Sequence, residues 1–135
     1  MTTSVNKYIA AAMTIGLVWT QSTTAAHAAV TDYEFQLIQK SVKQGQKVEV
    51  AVRLVDKRNG SPVPDAVVFA QRIDMAPDGM EMMAAPIKPL PSAEPGTYKF
   101  EAALSMEGRW RLSLVAKVQG ETGTLENKLV VEVLP

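Results

Sequence analysis

Apolar side chains recur at every second position over long stretches between Tyr33 and Val133, the spacing at which an extended strand turns alternate residues to one face. Tyr33, Phe35 and Leu37 form the first row, and Val48, Val50, Val52 and Leu54 form the second, interleaved with Glu49, Ala51 and Arg53. The stretch "DKRNGSPVPD" then breaks the pattern with Asn59-Gly60 and two prolines, the composition of a turn-rich connection. A third run, Ala66 to Asp74, is apolar at consecutive positions at its start, which predicts a strand near the middle of a sandwich, covered on both faces. Pro95-Gly96 opens a turn, after which Tyr98, Phe100, Ala102 and Leu104 alternate with Lys99 and Glu101. Beyond "SMEG", Trp110, Leu112, Leu114, Ala116 and Val118 face one way while Arg109, Arg111, Ser113 and Lys117 face the other, and Leu129, Val131 and Val133 close the series. No capped amphipathic helix interrupts these runs. Six to seven short strands separated by turn signals predict an all-β fold, an immunoglobulin-like β-sandwich.

The chain start changes where such a sandwich is expected to work. Lys7 and the amino terminus precede the apolar run "YIAAAMTIGLVW", and Ala26-His27-Ala28 supplies a small-x-small cleavage pattern. Residues 1–28 therefore read as a secretory signal peptide, and residues 29–135 as one domain that leaves no room for a second. The apolar run is too short to span a bilayer comfortably, so the expectation is an exported, periplasmic monomer without stable membrane insertion. With Lys7 set aside, 13 basic side chains face 14 acidic ones and no polybasic block exists, which removes the main electrostatic drive toward nucleic acid. The chain has no cysteine, and its only histidine, His27, falls within the expected signal. Core packing rather than disulfides must hold the fold. Activated Cys-His or Ser-His nucleophile pairs cannot be assembled either, so no enzyme is expected.

One segment resists the alternation. "IDMAPDGMEMMAAPIKPLP", Ile73 to Pro91, sets Met75, Met80, Met82 and Met83 within nine residues, inside a stretch from Met75 to Glu94 that is long for a structureless loop unless it has a function. Pro86, Pro89 and Pro91 around Ile87 and Leu90 fit an extended edge strand, where a missing N–H costs no ladder bond. The methionines are then expected at the sandwich end or along that edge. Asp78-Gly79 favours a tight reversal that would bring Met75 back toward Met80 and Met82, and Met106, in the "SMEG" turn, would join them if both turns share one end of the sandwich.

"PVPDAVVFAQRIDMAPDGMEMM" followed by "PGTYKFEAALSMEGRWRLSLVAKV" resembles the FixH/YtkA-like domain family of small exported β-sandwich proteins, over most of residues 29–135. The likeness rests on Met75, Pro77, Met80 and Met82, on Pro95, Gly96 and Tyr98, and on Met106, Gly108 and Trp110. It implies a bacterial periplasmic protein of copper or other heavy-metal handling, found beside efflux systems or oxidase assembly. Asp74 directly before Met75, the acidic "PDGME" and the loss of His27 depart from the pattern, which puts a mixed His/Met site in doubt.

Thioether sulfur is neutral and soft, selects Cu(I) among biological metals, and needs no deprotonation to bind. Met75, Met80, Met82, Met83 and Met106 are thus candidate Cu(I) ligands. Two other readings stand beside this one. Methionine fills irregular core gaps and contacts aromatic rings, here Trp110 or Phe69, and methionine-rich surfaces also dock protein partners. The corresponding alternative function is an interaction module without a metal, docking a membrane efflux or oxidase-assembly partner through the methionine loop and the proline-rich edge. Asp74, Asp78 and Glu81 lack the spacing of a calcium loop and read as solvated loop carboxylates. Trp110 reads as a core plug.

Overall fold

A computed structural model describes residues 29–135, together with Gly16; apart from Gly16, the expected signal peptide lies outside the described residues. Ten strands make two five-stranded sheets. The first sheet contains β1 (Tyr33–Leu37), β3 (Gly45–Asp56), β4 (Ser61–Pro62), β7 (Ile87–Leu90) and β8 (Thr97–Leu104), in the order β1-β3-β8-β7 with β4 also on β3. The second contains β2 (Ser41–Lys43), β5 (Ala66–Met75), β6 (Met80–Ala85), β9 (Gly108–Val118) and β10 (Leu125–Leu134), in the order β2-β10-β9-β5-β6. All pairings are antiparallel except β2 with β10.

The alternating rows become the core between the sheets. Phe35, Val50, Val52, Leu54, Phe100 and Leu104 come from one sheet and Ile73, Trp110, Leu112, Leu114, Ala116 and Val131 from the other, all buried. Burying a large apolar side chain contributes roughly 1.5–3 kcal/mol, so these rows, rather than any cross-link, hold a cysteine-free fold together. Five alternating runs and the apolar run Ala66 to Asp74 account for β1, β3, β5, β8, β9 and β10. Four further strands, β2, β4, β6 and β7, add to them, each too brief or too irregular to write a period-two pattern.

The start of β5 departs from expectation. Val67 and Phe69 stand exposed instead of covered on both faces, because Ala66 and Val68 take the face toward the core and no third layer covers the outer face of a two-sheet sandwich. The first half of β5 has β9 on one side and no strand on the other. Its apolar run records an exposed surface, and Phe69 sits at a bulge between the Val68 and Ala70 pairings, away from the methionine hairpin.

The turn that opens β8 depends on glycine. Gly96 has φ +81°, and a Cβ there would stand 2.6 Å from Pro62 Cβ, which only glycine avoids. Two residues on, the Tyr98 hydroxyl donates to the Val63 carbonyl at 2.9 Å and accepts from the Ala66 N–H at 3.1 Å. One phenol thereby ties the "SPVPD" connection to β8 as the chain crosses from the first sheet to the second.

Candidate functional site

The methionine segment forms a hairpin and then a change of sheet. β5 ends at Met75, a 3-10 turn covers Ala76–Asp78, and Gly79 reverses the chain with φ 76°, a left-handed conformation that glycine adopts without penalty. Met75 then pairs with Met80, as the Asp78-Gly79 reversal predicts. The next pairing is Asp74 with Ala84. One step along β5 thus corresponds to four along β6, and Glu81, Met82 and Met83 bulge out of the ladder. Past Pro86 the chain enters β7 at the edge of the other sheet. The methionines therefore do not share the proline-rich edge: β6 and β7 are separate edges of the two sheets.

Three arginines hold this hairpin, Arg72 from within β5 and Arg109 and Arg111 from the neighbouring β9. Asp74, on the face of β5 turned away from Ile73 and the core, is fully buried. Its carboxylate accepts from Arg72 Nε at 3.1 Å, from an Arg111 terminal nitrogen at 3.2 Å and from the Ala76 N–H at 3.0 Å. Burial acts to raise the Asp74 pKa, but the Ala76 N–H and the two guanidiniums outweigh it and hold the carboxyl below its usual range. This corrects the reading of Asp74 as a solvated loop carboxylate, since an ion pair can sink a carboxylate that its sequence neighbours would leave wet. Arg111 also reaches Glu81 Oε1 at 3.3 Å, and Arg72 donates to the Glu81 carbonyl at 3.2 Å, so both arginines grip the bulge. Asp78 accepts the Arg109 backbone N–H at 2.8 Å and its Nε at 2.9 Å. These bonds from Arg109, backbone first, lower the Asp78 pKa. Arg109 also donates to the Pro77 carbonyl at 3.0 Å.

The arginine ties put the Ala76–Gly79 turn against the beginning of β9, at the end of the sandwich that carries the Ser105–Glu107 turn. Trp110, buried, donates its indole N–H to the Met106 carbonyl at 3.1 Å. Gly108 lies between the two turns with φ +138°, and a Cβ there would meet Asp78 Oδ2 and Met75 Cε, each at 2.7 Å. Gly108→Ala is accordingly expected to lower the urea stability by roughly 1–3 kcal/mol, through overpacking and backbone strain together. The Asp78–Arg109 pair should be displaced with it.

The five methionines separate by burial. Met75 is 1% exposed and belongs to the core, its methyl against Gly108. Met80, Met83 and Met106 are about two-fifths exposed and Met82 is 93% exposed. Met80, Met82 and Met83 lie on one edge strand, Met75 pairs with Met80 from β5, and Met106 lies in the turn before β9. Phe69 is not beside them. Among the described residues, no three His, Cys, Asp or Glu side chains form a cluster able to hold a metal. Asp74, Asp78 and Glu81 are each engaged by arginine. Sequence reasoning missed the three arginines. Period-two spacing puts Arg72 and Asp74 on one face, and likewise Arg109 and Arg111, but the register that joins the two strands is not local.

A model of the YtkA-like family matches residues 27–115. The chain belongs to the YtkA-like family. No curated protein matches the sequence. Among solved structures, the Lin-41 filamin domain is 18% identical with a TM-score of 0.45, covering 76% of this chain and 92% of that one. The ZirS C-terminal domain is 11% identical with a TM-score of 0.46, covering 100% and 82%. A conjugative transposon lipoprotein from Bacteroides eggerthii is 14% identical with a TM-score of 0.34, covering 74% and 96%. At such identities these likenesses concern fold alone. In this YtkA-like sandwich the motifs that carry the resemblance have structural work to do. Gly96 and Tyr98 fix the crossing between sheets, and Gly108 and Trp110 hold the corner where the methionine hairpin meets the Met106 turn.

Proposed function

We propose that this YtkA-like chain is an exported, periplasmic Cu(I)-binding protein of metal handling, acting without catalysis through the thioethers of Met80, Met82, Met83 and Met106, with Met75 as the packed floor of the site. The observation that carries the reading is the exposed β6 edge: three methionines within four residues, two of them on the bulge, on a hairpin tied down by arginines rather than left as a free loop. Family membership supports metal handling as the setting. Thioethers favour a soft monovalent ion, and the carboxylates nearby are neutralised by guanidiniums, so no competing hard-ligand site is built. The exposed edge supports delivery of the ion to an efflux or assembly protein as part of the same proposal.

Titration with Cu(I) against a competing chelator tests this. The protein should retain copper at least about tenfold more tightly than a variant with Met80, Met82, Met83 and Met106 replaced by leucine, a difference of about 1.4 kcal/mol or more. Equal retention sinks the proposal. A second reading is favoured by the same exposure: an unpaired β6 edge bearing Met82 could dock a membrane-protein partner with no metal present. That reading requires the leucine variant to lose its partner whether or not copper is supplied.

A further inference from the structure

Resting on the copper reading for its consequence but not for its site, we propose that Met82 is a reversible oxidation site, converted to methionine sulfoxide before any other described methionine, and that this conversion disarms the thioether edge. The protein has no cysteine, so thioethers are its most readily oxidised groups, and the sulfoxide can be reduced back. Among the described methionines the environment is steeply graded. Met82 is almost wholly exposed on a bulge that contributes no ladder pairing, whereas Met75 lies in the core against Gly108. Met80, Met83 and Met106 fall between them.

The reaction needs only a peroxide. The Met82 sulfur attacks one peroxide oxygen, the O–O bond breaks, a sulfur–oxygen bond forms, and water leaves after proton transfer. Sulfur loses two electrons and the peroxide gains them. The product replaces a soft donor with a polar group whose hard oxygen no longer selects Cu(I). Because Glu81 is gripped at its carbonyl by Arg72 and at its carboxylate by Arg111, the bulge can accept the oxidised side chain without loss of the fold. Met75 has no such freedom.

The test treats the purified chain with limiting hydrogen peroxide and follows each methionine by peptide mass spectrometry. Met82 sulfoxide should accumulate first, at least about tenfold ahead of Met75, which should oxidise at a comparable rate only in urea. Oxidation of Met75, Met80, Met83 or Met106 ahead of Met82 in the folded protein overturns the proposal. The singly oxidised protein should then bind Cu(I) several-fold more weakly than the untreated one and recover on incubation with methionine sulfoxide reductases. Unchanged copper retention after Met82 oxidation overturns the disarming step. If the untreated protein binds no more copper than its leucine variant, the copper reading fails, while the oxidation order still decides the modification site.

Discussion

Asp74→Ala is expected to lower the free energy of unfolding by about 3 kcal/mol, because removing one partner of a buried ion pair strands the other. The carboxylate is wholly buried between Arg72 and Arg111 and also accepts the Ala76 N–H. Arg72 is half exposed and can turn to water, which places the loss at the lower end of the usual range. Arg111 would keep only Glu81, whose side chain is 71% exposed, and a screened surface contact of that kind recovers little. Its Nε is already buried without a partner. Asp74→Asn should cost less, since an amide oxygen can still accept the Ala76 N–H. The pair of variants also reads out pH. Asp74 has its pKa lowered in the folded protein, so its contribution is complete above the unfolded value of about 3.9 and fades as the pH falls through the folded value. Urea midpoints of the parent and Asp74→Asn should therefore converge on acidification below about pH 4, with the difference constant near neutrality. A constant gap down to the most acidic pH at which both fold would show that the carboxylate charge contributes nothing.

The strands that face the core could be read from the chain because each writes its own alternation. Val48 to Leu54, Tyr98 to Leu104 and Trp110 to Val118 need no knowledge of their neighbours to declare which side is buried, and those positions form the core. Other features depend on partners distant in sequence. Val67 and Phe69 look like buried positions until the two-sheet architecture leaves the outer face of β5 without a covering layer. Asp74 looks solvated until the register of β5 and β9 sets Arg111 opposite it. Layer stacking sets the first outcome and strand register the second, and apolar content predicts neither.

The methionine segment was partly legible for the same reason. Asp78-Gly79 encodes a local reversal, and Met75 pairs with Met80 across it. The extra residues Glu81 to Met83 carry no local mark of a bulge, because a bulge is a mismatch between two strands rather than a property of one. Nor does Pro86 announce that the chain is leaving one sheet for the other. Both β6 and β7 are edge strands, where prolines and irregular patterns are tolerated, so the same residues suit a single loop or two separate edges.

Trp110→Ala should be the most damaging single truncation near the candidate site, costing about 3–5 kcal/mol from lost contacts and the cavity left behind. Stabilities of small domains are of order 5–15 kcal/mol, so this variant should unfold at markedly lower urea concentration, and comparison with Trp110→Phe separates volume from hydrogen bonding. Phenylalanine keeps most of the ring in the core but loses the N–H that holds the Met106 carbonyl, a loss of about 1 kcal/mol together with some packing. The two variants then bear on function in different ways. If Met106 is a thioether ligand, freeing its turn in Trp110→Phe should weaken Cu(I) retention several-fold in a protein that remains folded. If copper retention is unchanged while stability falls, Met106 lies outside the ligand set and the site is confined to the β6 bulge. The indole reaches Met106 through its backbone carbonyl and leaves the thioether free, so the substitution changes where the sulfur is held without changing its chemistry.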